Sequence, residues 1–145
     1  MTWTLAQARA RIAETIANNM VPGKLVAVYV APPPQIVAPC AVIAPRSPYI
    51  TPSAYNIEEV QWAITVFVPH SNAPDALDKL EALTGEIALN IELGEGVLVP
   101  DNVPNRGYTI GWSSIDSIGT VSELGGITYL TATINITAHM GALQR

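Results

Sequence analysis

The side chains best suited to chemistry in this sequence are two histidines, His70 and His139, one cysteine, Cys40, and a scatter of serines and acids. A nucleophilic triple could be drawn from Ser113 or Ser114, Asp116 and His139. The chain has no Gly-x-Ser-x-Gly elbow to expose such a serine. No His-x-x-x-His or His-Glu-x-x-His pair is present, so the histidines are not spaced as zinc ligands on a helix. Cys40 lies in an apolar run with no base beside it, which describes an inert buried thiol. Glu58 and Glu59 are adjacent, and adjacent strand residues point to opposite faces, so they do not converge as an acid/base pair. The acids Asp75, Asp78 and Glu81 fall early in a predicted helix, where its dipole favours them. Gly94-Glu95-Gly96 and Gly125-Gly126 lack the Gly-Lys-Ser/Thr signature of a phosphate loop. No catalytic, metal or cofactor residue emerges, and the expected cofactor content is none.

Composition narrows the class further. The chain has 145 residues, the size of one domain. Its 7 basic and 12 acidic residues leave a net charge of −5, and charged residues make up 13% of the whole, where roughly 25% is usual. Mean hydropathy is +0.29. Disorder is excluded, since it needs low hydrophobicity and high charge. The few basic residues form no cluster that could neutralise phosphates, which argues against a general nucleic-acid binder. A single cysteine allows no internal disulfide. The first residues lack the basic-then-apolar order of a signal peptide, so an intracellular origin is expected. No apolar run approaches the ~18 residues of a spanning helix, so no membrane is expected. The low charge remains to be explained: either neutral polar residues coat the surface, or other subunits cover part of it.

The elements that would position these residues read as α-β-β-β-α-β-β. Thr4 and Gln7 fit a capping box, with Trp3 and Ala8 as a staple, and Leu5, Ala8, Ile12 and Ile16 share one helical face. Lys24 to Ala31 reads as a strand, apolar on both faces and therefore expected to be central or covered twice. Seven of the 12 prolines fall between residues 32 and 52. They predict an ordered extended arm at about 32–55 with one short strand, Cys40 to Ala44, inside it. Val60, Trp62, Ile64, Val66 and Val68 alternate with Gln61, Ala63, Thr65 and Phe67 in the clearest strand. Ser71 or Asn72 caps a second helix, whose Ala76, Leu80, Leu83, Ile87 and Ile91 recur at helical spacing, and Gly94-Glu95-Gly96 ends it. After a loop over 97–107, Tyr108 to Ser114 and Ile118 to Ser122 read as strand with a bulge near Ser113 to Ser117. Leu124-Gly125-Gly126 makes a hairpin turn. In the last strand Leu130, Ala132, Ile134, Ile136 and Ala138 form an apolar face, and Thr131, Thr133, Asn135 and Thr137 an uncharged polar one. The expected fold class is α+β: one domain over 1–145, mainly antiparallel, with both helices on one sheet face.

The order of these elements carries a resemblance. An N-terminal helix leads to Val26-Ala27-Val28-Tyr29-Val30, then to Pro39-Cys40-Ala41-Val42-Ile43-Ala44-Pro45 and Pro48-Tyr49-Ile50. The strand Val60 to Val68 then runs into a helix, and a final pair of strands follows. Over nearly the whole chain this resembles the small tail-terminator and neck proteins of long-tailed bacteriophages. The resemblance implies a non-enzymatic virion protein of the tail or neck, assembled in the host cytoplasm. It would form a homo-oligomeric ring, a hexamer, between the tail tube protein and the head–tail connector or stopper protein. DNA would pass through its channel without specific binding. A stopper or head-completion ring, a tail-tube subunit and a small-molecule-binding α+β domain are the competing readings.

The resemblance transfers no site residue by motif. The interface expected here comes from the residues themselves: Arg46, Tyr49, Ile50 and Tyr55 in the arm, and Thr131, Thr133 and Asn135 on the uncharged face of the last strand. Tyrosine is enriched at protein interfaces, and proline lowers the entropy lost on docking. A loop folded back on its own sheet accounts for Tyr49 and Tyr55 equally well.

Overall fold

In the computed structural model, which describes residues 5–19, 25–54, 57–70, 73–93 and 109–141, the clearest alternation of the sequence becomes the middle of a sheet. The elements are α1 (Leu5–Asn19), β1 (Ala27–Tyr29), β2 (Cys40–Ala54), β3 (Ile57–Pro69), α2 (Ala73–Leu93), β4 (Thr109–Leu124) and β5 (Ile127–Gly141). One five-stranded sheet has the order β1-β2-β3-β5-β4. β2–β3, β3–β5 and β4–β5 pair antiparallel, while β1 runs parallel to β2. The fold is α+β, and its sheet is mixed rather than mainly antiparallel.

The core follows from two periodicities. Val60, Trp62, Ile64, Val66 and Val68 of β3 are all fully buried, and so is the row opposite them on β5, Ala132, Ile134, Ile136 and Ala138. From α1 come Ala8, Ile12 and Ile16, and from α2 Ala76, Leu80, Leu83, Ile87 and Ile91, all in the same cluster. Each fully buried aliphatic side chain is worth about 1.5–3 kcal/mol over an exposed one. The helices use the sheet differently: α2 touches β3, β4 and β5, whereas α1 touches β1 and α2. Mid-helix Thr15 and Thr84 donate their hydroxyls back to the carbonyls of Arg11 and Leu80, at 2.9 and 2.7 Å, which satisfies them inside a packed helix.

Two stretches take a more definite place than the local pattern gave them. β1 is not central. It is a three-residue edge strand, paired over Ala27↔Cys40 to Tyr29↔Val42, with Val26 and Val30 exposed beside it. The connection that follows folds back on it, with the Val37 amide donating to the Tyr29 hydroxyl at 3.2 Å. In the stretch at 32–55, expected as an ordered extended arm with a short strand at Cys40 to Ala44, the strand is longer than expected. Residues 40–54 form one long strand against β3. The prolines are tolerated because β1 covers only Cys40 to Val42, leaving the rest of β2 as an edge. β2 advances from Pro45 to Ile50 while β3 moves only from Trp62 to Val60, so residues 46–49 arch out of the ladder.

That arch brings Tyr49 over Trp62. Their rings meet edge-to-face at 6.0 Å, and the Trp62 indole Nε1–H donates to the Tyr49 hydroxyl at 3.1 Å. Across the sheet, Gly125 and Gly126 both have positive φ, as a two-residue type I′ hairpin turn requires. β4 is a single strand with two shifts in register, at Trp112/Ser114 and Asp116/Thr120, and at the second one Ser117 and Gly119 take positive φ. The proposed caps at Thr4 and at Ser71 or Asn72, the Trp3 staple, Gly94-Glu95-Gly96 and the loop over 97–107 lie outside the described residues.

Tyr49→Phe should retain the fold but leave the buried Trp62 N–H without its acceptor. Urea denaturation should show a loss of about 1–3 kcal/mol with an unchanged m-value; an unchanged midpoint would mean the indole finds another partner.

Candidate functional site

The row of β3 and β5 that faces away from the core cluster is polar but nearly uncharged. In register across the two strands lie Gln61 with Thr137, Ala63 with Asn135, Thr65 with Thr133, and Phe67 with Thr131. β4 continues the row through Ser114 opposite Asn135, Asp116 opposite Thr133 and Thr120 opposite Thr131. Gln61, Thr131 and Asn135 are buried, and Thr65, Thr133 and Thr137 half-buried.

This face is held by its own hydrogen bonds. The Asn135 amide donates from Nδ2 to Ser114 Oγ at 2.9 Å and also to Asp116 Oδ2, and Ser114 Oγ donates to the same carboxylate oxygen at 3.3 Å. Ser113 Oγ reaches the Asn135 carbonyl at 3.2 Å. Thr131 Oγ1 donates to the Thr120 carbonyl at 3.2 Å and lies 3.4 Å from Ser122 Oγ. At the upper end Phe67 and Tyr129 meet edge-to-face at 5.8 Å. At the other end Gln61 donates to Glu59, and Glu59 pairs with His139 at 3.4 Å. Gln61 Oε1 is buried without a hydrogen-bond partner, an acceptor that costs free energy until something donates to it.

The expected interface residues do not converge on one patch. Thr131, Thr133 and Asn135 line the polar row. Ile50 instead lies in register with Val60 and packs with Tyr49 against the core cluster. Tyr49 is occupied by Trp62, which is the folded-back alternative for this residue. Arg46 sits in the arch, half-buried, with Nη1 buried and lacking a hydrogen-bond partner. Tyr55 lies outside the described residues.

The catalytic combinations resolve in the same way. Ser114 and Asp116 do meet, but Asn135 holds both, while His139 is engaged by Glu59. A serine bonded to a carboxylate with no imidazole between them has no general base arranged for attack. Among the described residues no group of three or more His, Cys, Asp or Glu side chains could hold a metal ion. Cys40 is fully buried, and burial pushes its thiol up to about 11.

Apolar exposure is the feature that sequence reasoning missed. Ile118, Val121, Leu124 and Ile127, all in the β4–β5 hairpin, are 45–58% exposed. The available signal was that Val121 and Leu124, three apart on one strand, point to opposite faces, while Leu124 and Ile127 pair across the turn and share one, so no single face can bury them all. Leu124, Gly125, Ile127 and Tyr129 also line an open cleft of about 340 Å³ against Pro33 to Ile36 of the β1–β2 connection. The chain matches no known protein-family profile and no curated protein sequence.

Cys40 should resist iodoacetamide at pH 7.5 in the native protein and react once the chain is unfolded. Its folded pKa is raised, so the unfolded chain ionises first as pH rises; wild type should lose stability relative to Cys40→Ala between about pH 9 and 11. Rapid native labelling would contradict this burial.

Proposed function

We propose that the chain is a structural virion protein, a phage tail terminator that assembles as a ring, a hexamer, between the tail tube and the head-side connector. In this reading both helices back one face of the sheet, and the other face is turned to a neighbouring subunit. The observation that carries it is that second face. It is a broad row of Thr, Asn and Gln side chains ordered by mutual hydrogen bonds, with Gln61 Oε1 still unpartnered. Such a row displays little charge, and protein interfaces are depleted of charge at their centres. It accounts for the 13% charged content without invoking a catalytic site. The order of elements along the chain and the segments Pro39 to Pro45 and Pro48-Tyr49-Ile50 support the phage assignment.

A ring of identical subunits needs a heterologous contact whose rotation closes. With a net charge of −5, acids facing the channel would repel DNA phosphates and let the duplex pass without being held. The remaining roles in the same assembly are a stopper ring or a tube subunit. The cleft beside Tyr129 favours a different class, a small-molecule-binding domain. Its wall of Pro33, Pro34, Ile36, Leu124, Ile127 and Tyr129 offers apolar contact and a phenol hydroxyl.

Native mass spectrometry and negative-stain microscopy separate these readings. The expected result is a discrete ring of about six copies at micromolar concentration. Long tubes would reassign the chain to the tail tube. A monomer at every concentration would overturn the ring and leave the cleft as the better site.

A further inference from the structure

The exposed apolar side chains fall mainly into two groups at opposite edges of the sheet. One group is Ile118, Val121, Leu124 and Ile127 on the β4–β5 hairpin. The other is Val26, Val30 and Val37 around β1, also 44–58% exposed. β4 and β1 are the two outermost strands, so four strand spacings, about 19 Å, separate them. Only at the β4–β5 turn does the same chain come close, where Leu124 and Ile127 share a cleft with Pro33 to Ile36; Ile118 and Val121 do not line it.

Charge divides along the same line. The hairpin, residues 109–141, contains Asp116 and Glu123 and no lysine or arginine. On the β1 side, α1 and β2 carry Arg9, Arg11 and Arg46 against one acid, Glu14. α1 touches β1 directly, and β2 pairs with it. The guanidinium atoms Arg9 Nε and Arg46 Nη1 are both buried without hydrogen-bond partners. The hairpin edge is thus acidic, while the β1 side keeps an excess of arginine over acid even with Arg11 paired to Glu14 at 3.6 Å.

From this we infer that the β4–β5 hairpin of one copy docks against the α1–β1–β2 edge of the next copy, head to tail. Val121 and its apolar neighbours meet the valines around β1, and Asp116 and Glu123 face the arginines. Two unlike, complementary edges make a heterologous contact, whereas an isologous dimer would place hairpin on hairpin and acid on acid. The prolines Pro45, Pro48 and Pro52 blunt the free edge of β2 as a template for strand addition. The contact is thus made through side chains. The inference rests on the ring reading and adds the two sheet edges as a contact beside the polar face.

The test uses the full chain and exploits the buried Cys40, which does not compete for thiol reagents in the native fold. Val26→Cys and Val121→Cys are made singly and together and treated with a short bismaleimide. The expected result is a ladder of cross-linked multimers from the double variant, and no cross-link from either single variant alone. Mixing the two single variants should restore dimer bands. Val121→Asp should shift the assembly to monomer with its circular dichroism unchanged. Leu89→Asp, an equally exposed residue on α2, should leave the assembly intact. Self-cross-linking by Val121→Cys alone would overturn the head-to-tail contact. A wild-type ring that survives Val121→Asp and gives no ladder would overturn this inference and leave the ring reading standing. A wild-type monomer would overturn both.

Discussion

A strand paired on both sides has to dispose of two rows of side chains, and β3 does so asymmetrically. Its even-numbered row, Val60 to Val68, is entirely apolar and fully buried beneath side chains from both helices. Its odd-numbered row is small, polar or half-buried, and looks away from that cluster. Slipping β3 by one residue would exchange the two rows, exposing Trp62 and burying Gln61 and Thr65 in the core, so the register is strongly held. The rest of the molecule is arranged around that requirement. β2 and β5 satisfy its backbone on either side, α2 packs over one row, and Tyr49 supplies the acceptor that the Trp62 indole N–H needs.

The same asymmetry makes the second face a surface of unusual character. A threonine- and asparagine-rich row could have been left for water to solvate. Here the row is stitched to β4 through Asn135, Ser114 and Asp116, and through Thr131 and Thr120. Rotamers fixed in this way lose little entropy when a second surface meets them. A chain that holds its polar groups ordered and its charge low is suited to permanent contact with other chains, and the apolar edges are suited to the same end.

The proline-rich region shows how one composition can serve two structural ends. Between Val30 and Pro39 it is a connection that bends back over Tyr29 and reaches the β4–β5 turn. From Cys40 onward it is a strand, kept at an edge by its missing amides and arched where three residues exceed the ladder. The arch places Tyr49 on Trp62 and holds Arg46 half-buried, with its Nη1 enclosed.

Periodicity made the core legible from the chain alone. The apolar rows of α1, α2, β3 and β5 were each readable because a helix repeats every 3.6 residues and a strand every two, and burial follows those repeats whatever the fold. The Gly125-Gly126 turn was readable because only glycine takes two successive positive φ values cheaply. Three other features needed the tertiary structure. Val26, Val28 and Val30 cannot say whether β1 lies inside a sheet or at its edge, because a local pattern does not record what pairs with it. Proline content cannot distinguish a free arm from an edge strand, since both leave the missing amide without a partner. Asn135 could be seen as polar, but its partners Ser114 and Asp116 are about twenty residues away in sequence and are brought to it only by the β4–β5 ladder. Sequence alone therefore determined which side chains seek the core, while the pairing of distant strands decided which polar and apolar residues were left facing outward.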